Sequence, residues 1–206
     1  VAHTPGSVFN YSSGNTMLLA PVIKKATGVQ ADAFAKEHLF QPLGINMYEW
    51  DKASEFWSRT QSGELPGADK PDSVIQYSKA FAELPNTATG LKMLPRDLAR
   101  IGQLYLNKGR WKGKQIVSES WIERSLQPYL SDSRYGYHWV SRSYVHNGKE
   151  IPCYLASGFG GQGVYLFPSL SMVLVFSQHT YKDMEEGEAE TEKIIKEYIL
   201  KAVKGI

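Results

Sequence analysis

The chain has 206 residues, enough to bury a sizeable core in one ordinary domain or in two small, closely packed ones. At 42% hydrophobic and 21% charged it is globular and not disordered, and a net charge of +2 with no Lys/Arg stripe argues against nucleic acid as a partner. No run of about 18 apolar residues occurs, so no transmembrane segment is expected. A lone cysteine, Cys153, excludes an intrachain disulfide and a cysteine-rich metal site; a small core residue on a strand is its expected role. The five histidines include no H-x-x-x-H pair, so no metal and no cofactor are expected. Chemistry on a small-molecule or peptide substrate remains open.

The chain opens VAHTPGSVFNYSS, with neither an initiator Met nor a signal peptide. It is therefore expected to be an excised piece or processed product, and its compartment is unread. The stretch Pro5 to Gly28 sets Tyr11, Ser12 and Ser13 before an apolar run, Met17, Leu18, Leu19, Val22, Ile23 and Ala26, with helical spacing. Ser12 or Ser13 suits the N-cap and Gly28 the C-terminal stop. Tyr11 is either a packed aromatic beside a serine cap or a site residue at a helix mouth, where free N–H groups favour an anion.

Gln30 to Phe40 is predicted to be a short helix burying Phe34, Leu39 and Phe40 and stopped by Pro42 and Gly44. Asn46 to Pro71 is aromatic but aperiodic, which predicts a long ordered loop with short helical turns. A helix follows from Pro95 to Gly109, with Leu98, Ile101, Leu104 and Tyr105 buried. Arg110 to Lys114 reads as a turn, and Ser118 as the cap of a helix through Trp121, Ile122 and Leu126.

Then the period changes. Tyr135 to Val140, Ser143 to Val145, Glu150 to Leu155, Gly163 to Phe167 and Met172 to Phe176 read as strands, with Asn147-Gly148 a type I′ turn. The last two are apolar throughout, as strands covered on both faces are. Glu185 to Val203 is predicted to be a helix with acids first and lysines last, burying Ile194, Ile195, Tyr198, Ile199 and Val203. The fold class is α+β: a mainly helical region, 1–134, followed by an antiparallel β-meander packed by a C-terminal helix, 135–206.

Between two strands lies Ala156-Ser157-Gly158-Phe159-Gly160-Gly161-Gln162. It is either an ordinary glycine-rich turn or bulge, or a backbone surface able to lie close against a ligand.

In order, PGSVFNYSSGN, ATGLKMLPRDLARIGQLYLNKGRWKGKQIVSESWI, YGYHWV, SGFGGQGVYLFP and MVLVFS resemble the serine β-lactamase and penicillin-binding-protein-like superfamily. They are most like its class C β-lactamase-like hydrolases and esterases, including the aminohexanoate-oligomer hydrolase branch. The resemblance covers nearly the whole chain and implies acyl transfer through a serine ester. It makes Tyr11 the motif tyrosine that shuttles protons. Ser13 stands in place of the motif asparagine and would hydrogen-bond substrate or the motif lysine. Ala156-Ser157-Gly158 aligns with the third motif, with Ala156 where a basic residue would stand, which favours an esterase or amidase over a carboxylate-binding lactamase. The N–H of Phe159 would be an oxyanion donor, with Ser157, Gly158, Gly160 and Gln162 along the substrate.

One motif of that family is missing: no serine here is followed three positions later by lysine. The nucleophile, its lysine and the first strands are expected outside these residues. A phenol serves as a base at neutral pH only beside a cation. The chain alone is therefore expected to be inactive. Loss of the strands that flank the last strand in that family would leave 172–177 with an unpaired edge and promote self-association. The alternatives are a non-catalytic relative that binds peptide or cell-wall fragments, or a purely structural domain.

Overall fold

A computed structural model describes residues 3–4, 6–62, 81–130, 133–181 and 183–204. They form two compact units, Tyr11–Leu94 and a second made of Val1–Asn10 with Pro95–Ile206. This division follows packing, whereas a boundary at 134/135 follows the change from helix to strand.

In the Tyr11–Leu94 unit, Ser12 occupies the N-cap with extended backbone, although its side chain makes no capping hydrogen bond. The single helix expected up to Gly28 is two helices, Ser13–Met17 and Leu19–Thr27. Pro21 accounts for the break, because it offers no N–H to the carbonyl of Met17 and its ring crowds that carbonyl. Gly28 ends the second helix in the left-handed conformation, φ 81°. The expected buried stripe is corrected: Ala20 is buried, while Leu18, Leu19 and Val22 are 40%, 41% and 58% exposed. Periodicity marks a face as apolar without saying what covers it. The helix packs instead on Ala31–Ala35, where Ala20 and Ala31, the buried residues of the two helices, permit close approach.

The next helix runs without a gap from Ala31–Ala35 through a π-type turn, Lys36–Phe40, into Gln41–Leu43, and stops at Gly44, φ 70°. Phe40 is buried as expected. The segment expected as a loop is more regular: Tyr48–Trp50 (β1) pairs antiparallel with Leu91–Met93 (β2), and Ala53–Gln61 is helical. Residues 63–71 of that segment lie outside the described residues. A three-residue strand is too short to show a period. Its position is fixed by Asn86, whose carbonyl accepts from Trp50 Nε1 at 2.9 Å.

In the second unit the Pro95–Leu106 helix leads through Gly109 into a hairpin where only a turn was expected. Arg110–Trp111 (β3) pairs with Lys114–Gln115 (β4) across Lys112 and Gly113, at φ 47° and 82°. Ser118 caps Glu119–Leu126, its hydroxyl accepting from Trp121 N at 3.3 Å.

The sheet is an antiparallel meander of Val140–His146 (β5), Lys149–Gly158 (β6), Gln162–Phe167 (β7) and Met172–Phe176 (β8), ordered β5-β6-β7-β8. Asn147 and Gly148, at φ 50° and 75°, form the expected turn. Of the strand predicted over Tyr135–Val140 only Val140 belongs to β5, and the residues before it form turns: Gly136 N donates to Trp139 O at 2.7 Å, and His138 is left-handed at φ 66°. Gly136 sits so tightly that a Cβ there would stand 2.8 Å from Gln127 O, which anchors the bend.

Alternation along the strands serves two layers. Val164, Leu166, Val173 and Val175 pack with Leu98, Tyr105, Leu126 and Trp139 on one face. Ile151, Cys153, Leu155, Tyr165 and Phe167 pack with Ile195, Ile199 and Leu200 on the other. The final helix starts at Met184, capped by Asp183, and passes through a π-type turn, Ile195–Ile199, into Leu200–Ala202. That turn shifts the helical phase. Leu200 is fully buried and Tyr198 is 65% exposed, reversing the expectation for Tyr198.

Candidate active site

Tyr11 stands directly before the Ser12 cap and is 63% exposed, and Ser13 is the exposed first residue of its helix. Thr87 Oγ1 donates to Thr16 O at 2.7 Å, tying this short helix to the turn after Asn86. That turn is rigid: Asn86 is buried, and its Oδ1 accepts from the amides of Ala88 and Thr89 at 3.1 and 3.2 Å.

The glycine segment belongs to the second unit, at the closed end of the β6–β7 hairpin. Gly158 pairs with Gln162, leaving Phe159, Gly160 and Gly161 to turn the chain, the two glycines at φ 83° and 90°. A strap, 178–181, folds over this turn. Thr180 N donates to Gly160 O at 3.1 Å, and the Tyr181 ring lies against Gly160 where a side chain would otherwise stand. The Phe159 ring packs on Tyr181 at 5.3 Å between centroids, and His179 meets Tyr181 edge-on at 4.7 Å. Gln162 Nε2 donates to Gln178 O at 2.9 Å, and Thr191 Oγ1 donates to Gln178 Oε1 at 3.2 Å, linking turn, strap and final helix.

The hairpin end thus gathers Ser157, Gly158, Phe159, Gly160 and Gln162. Ser157, Gly158 and Phe159 are exposed, Phe159 at 49%. Gln162 differs from an open substrate contact, because its amide nitrogen is committed to the strap. Its Oε1 is buried and has no hydrogen-bond partner among the described residues. Beside it lies a small recess of about 50 Å³ lined by Leu155, Ser157, Gly158, Gln162 and Tyr165. Burial pushes the Tyr165 hydroxyl up to about 12, so it stays a neutral donor. The strap escaped sequence reasoning, since QHTY has no period. Two consecutive glycines near a later aromatic are the signal that could have pointed to it.

A larger groove of about 590 Å³ runs between β5 and the final helix. Its polar groups satisfy one another: Arg142 pairs with Glu188 at 2.6 Å and Glu192 at 3.2 Å, and Tyr144 donates to Glu192 at 2.7 Å. Such a network holds helix to sheet and leaves few groups for a ligand. Among the described residues no cluster of three His, Cys, Asp or Glu could hold a metal ion, and no helix is long and apolar enough to cross a membrane.

A family model described as Beta-lactamase matches residues 1–197. A 6-aminohexanoate-dimer hydrolase of Paenarthrobacter ureafaciens is 25% identical over 175 residues, covering 81% of this chain and 38% of that protein. Among solved structures, simvastatin synthase from Aspergillus terreus superposes with a TM-score of 0.61 at 14% identity, over 98% of this chain and 57% of its own. The octameric penicillin-binding protein homologue of Pyrococcus abyssi gives 0.58 at 19% identity, over 99% and 49%. These two likenesses show the fold. The chain spans well under half the length of the curated relative it matches, at 38%.

Proposed function

The chain belongs to the β-lactamase family, and on that footing we propose that it is the C-terminal part of a serine hydrolase acting by acyl transfer on an ester, amide or β-lactam. The observation that carries this reading is the family match across residues 1–197, which spans both Tyr11 and the glycine hairpin end. In it, Tyr11 moves the proton between nucleophile and leaving group, and Ser13 hydrogen-bonds the substrate. The Phe159 amide donates to the developing oxyanion, and Ser157, Gly158, Gly160 and Gln162 border the acyl chain. Ala156, half-buried in the sheet, puts no cation where a carboxylate would bind, which favours a neutral ester or amide.

The nucleophile is supplied from outside these residues, because no serine here has a lysine three positions on. One oxyanion donor is worth about 10²–10³ in rate, whereas enzymes commonly reach 10⁶-fold or more, so the chain alone does not turn over. The test uses the purified chain and a chromogenic short-chain ester. The expected result is hydrolysis no faster than in buffer. Robust turnover that disappears on Tyr11→Phe would show that these residues hold a complete site.

A further inference from the structure

The small recess at the closed end of the β6–β7 hairpin holds two polar groups that the fold itself leaves unused. Its walls belong to one unit: Arg142 of β5, Leu155 and Ser157 of β6, Gln162 and Tyr165 of β7, and Glu188 of the final helix line it. The register gives it its shape. Leu155 pairs with Tyr165 and Ser157 with Gly163, which puts these four positions on one face of the sheet, and Gly163 has no side chain to fill its place. A Cβ there would stand 2.7 Å from Tyr165 Cε2, so the Tyr165 ring lies across the bare position. About 50 Å³ is left, several times the roughly 10–15 Å³ that one water needs. Tyr165 is 5% exposed, and among the described residues its hydroxyl takes part in no hydrogen bond. Gln162 is held through Nε2, which donates to Gln178 O at 2.9 Å, while its buried Oε1 accepts from no described residue. That Oε1 is 3.9 Å from where a Cβ on Gly158 would stand, and Gly158 also lines the recess. Buried donors and acceptors are nearly always paired, so one of each left over at the same recess points to a ligand. At the rim Arg142 and Glu188 pair at 2.6 Å and cancel in charge.

We propose that this recess is a binding subsite for a small neutral carboxamide group, whose carbonyl accepts from the Tyr165 hydroxyl and whose N–H donates to Gln162 Oε1. The chemistry of the two leftover groups selects the ligand. A carboxamide supplies one acceptor and one donor side by side and satisfies both. An ester supplies the acceptor alone and leaves Gln162 Oε1 unpaired. A carboxylate brings a charge that no free cation balances, since Arg142 is held by Glu188 and Glu192. A hydrocarbon leaves both groups unpaired. Ser157 and Gly158 are exposed and open the recess toward the hairpin end, beside Phe159. The inference rests on the hydrolase reading only in taking the carboxamide to be carried by a substrate, next to the bond that reacts; binding in the recess does not depend on catalysis.

The test is a titration of the full, isotope-labelled chain with acetamide, followed by the shifts of its amide signals, with methyl acetate and sodium acetate titrated in parallel. Acetamide should give saturable shifts centred on Ser157, Gly158, Gln162 and Tyr165, and the ester and the carboxylate should bind at least about tenfold more weakly, the cost of a hydrogen bond left unmade. Tyr165→Phe should weaken acetamide about tenfold and leave the rest of the spectrum in place, because the hydroxyl it removes has no partner in the fold. Ser157→Leu, at an exposed position, should block the mouth and abolish the shifts. No saturable shift from acetamide overturns the proposal, and a recess that holds water alone would give that result. Equal binding of acetamide and methyl acetate overturns it, as does undiminished binding to Tyr165→Phe. Ester turnover by the chain would overturn the absence of a nucleophile and leave this titration unchanged, so the two readings fail separately.

Discussion

Gly160 and Tyr181 pack so closely that a Cβ built on Gly160 would clash with the edge of the Tyr181 ring, 2.5 Å from Cδ1 and 2.6 Å from Cζ. The absent side chain is what lets the strap lie on the hairpin turn, with the Thr180 amide on the Gly160 carbonyl and Phe159 packed beside Tyr181. The turn carrying the proposed oxyanion donor is therefore shaped from outside by residues about twenty positions later.

Gly160→Ala should accordingly cost more than its backbone angle alone. Left-handed backbone at a non-glycine residue costs about 1–2 kcal/mol, and displacing a packed ring adds about 1–3 kcal/mol. Gly148, at φ 75° with nothing within 4 Å of a built Cβ, supplies the control. Urea unfolding should place Gly160→Ala about 3 kcal/mol below the parent and Gly148→Ala about 1 kcal/mol below. Equal losses would mean that the strap does not press on the turn.

The relation also shows what could be read in advance. The β6, β7 and β8 strands, the Ser118 cap and the Asn147-Gly148 turn follow from local signals, because side-chain alternation and turn residues are properties of a few neighbours. Tyr198 was misplaced because a π-type turn shifts the phase of the final helix, and backbone insertions leave no mark in apolar spacing. Leu18, Leu19 and Val22 were expected to be covered because their spacing is right, yet coverage depends on partners elsewhere. For the candidate site, glycine content located the hairpin end. The strap was invisible because its contacts are single rings and amides, with no repeat.

Gly102 sets the distance between the Pro95–Leu106 helix and the sheet. A Cβ there would stand 2.6 Å from Val173 Cγ1 and 3.2 Å from Leu166 Cδ2. Alanine favours a helix over glycine by about 1 kcal/mol, but overpacking costs about 1–3 kcal/mol. Gly102→Ala should therefore be net destabilising, and Val173→Ala should relieve it. A double-mutant cycle should report a coupling of about 1 kcal/mol. Independent, additive effects would place the helix farther from β8.

Cys153 is 1% exposed on β6, and burial pushes its thiol up to about 12. An unfolded cysteine titrates near 8.5, so at pH 8 the thiolate fraction falls about a thousandfold on folding, before access is counted. A chromogenic thiol reagent should label the denatured chain at once and the native chain only as fast as the sheet opens. The native rate should rise with urea in parallel with loss of stability. Rapid labelling without denaturant would contradict the packing of β6 beneath the final helix.

Glu192 should make part of the fold acid-sensitive. Burial acts to raise its pKa, but hydrogen bonds from Tyr144 and Lys196 and the charges of Lys196 and Arg142 outweigh this and hold it below the ordinary carboxylate value. A carboxyl whose folded pKa lies below its unfolded one, near 4.3, stabilises the protein above that pH. The contribution is lost as pH falls through the folded pKa, where the carboxyl takes up a proton and releases Arg142 and Lys196. Glu192→Gln keeps the shape and much of the Tyr144 hydrogen bond but removes the charge. At pH 7 it should lower stability by about 2 kcal/mol. As pH falls from about 4.3 through the folded pKa the gap between variant and parent should narrow, because the parent comes to carry a neutral side chain at the same place. Thermal or urea midpoints measured from pH 7 down to 3 decide the matter: a constant gap between the two proteins across that range would show that the charge of Glu192 does not hold the final helix to β5.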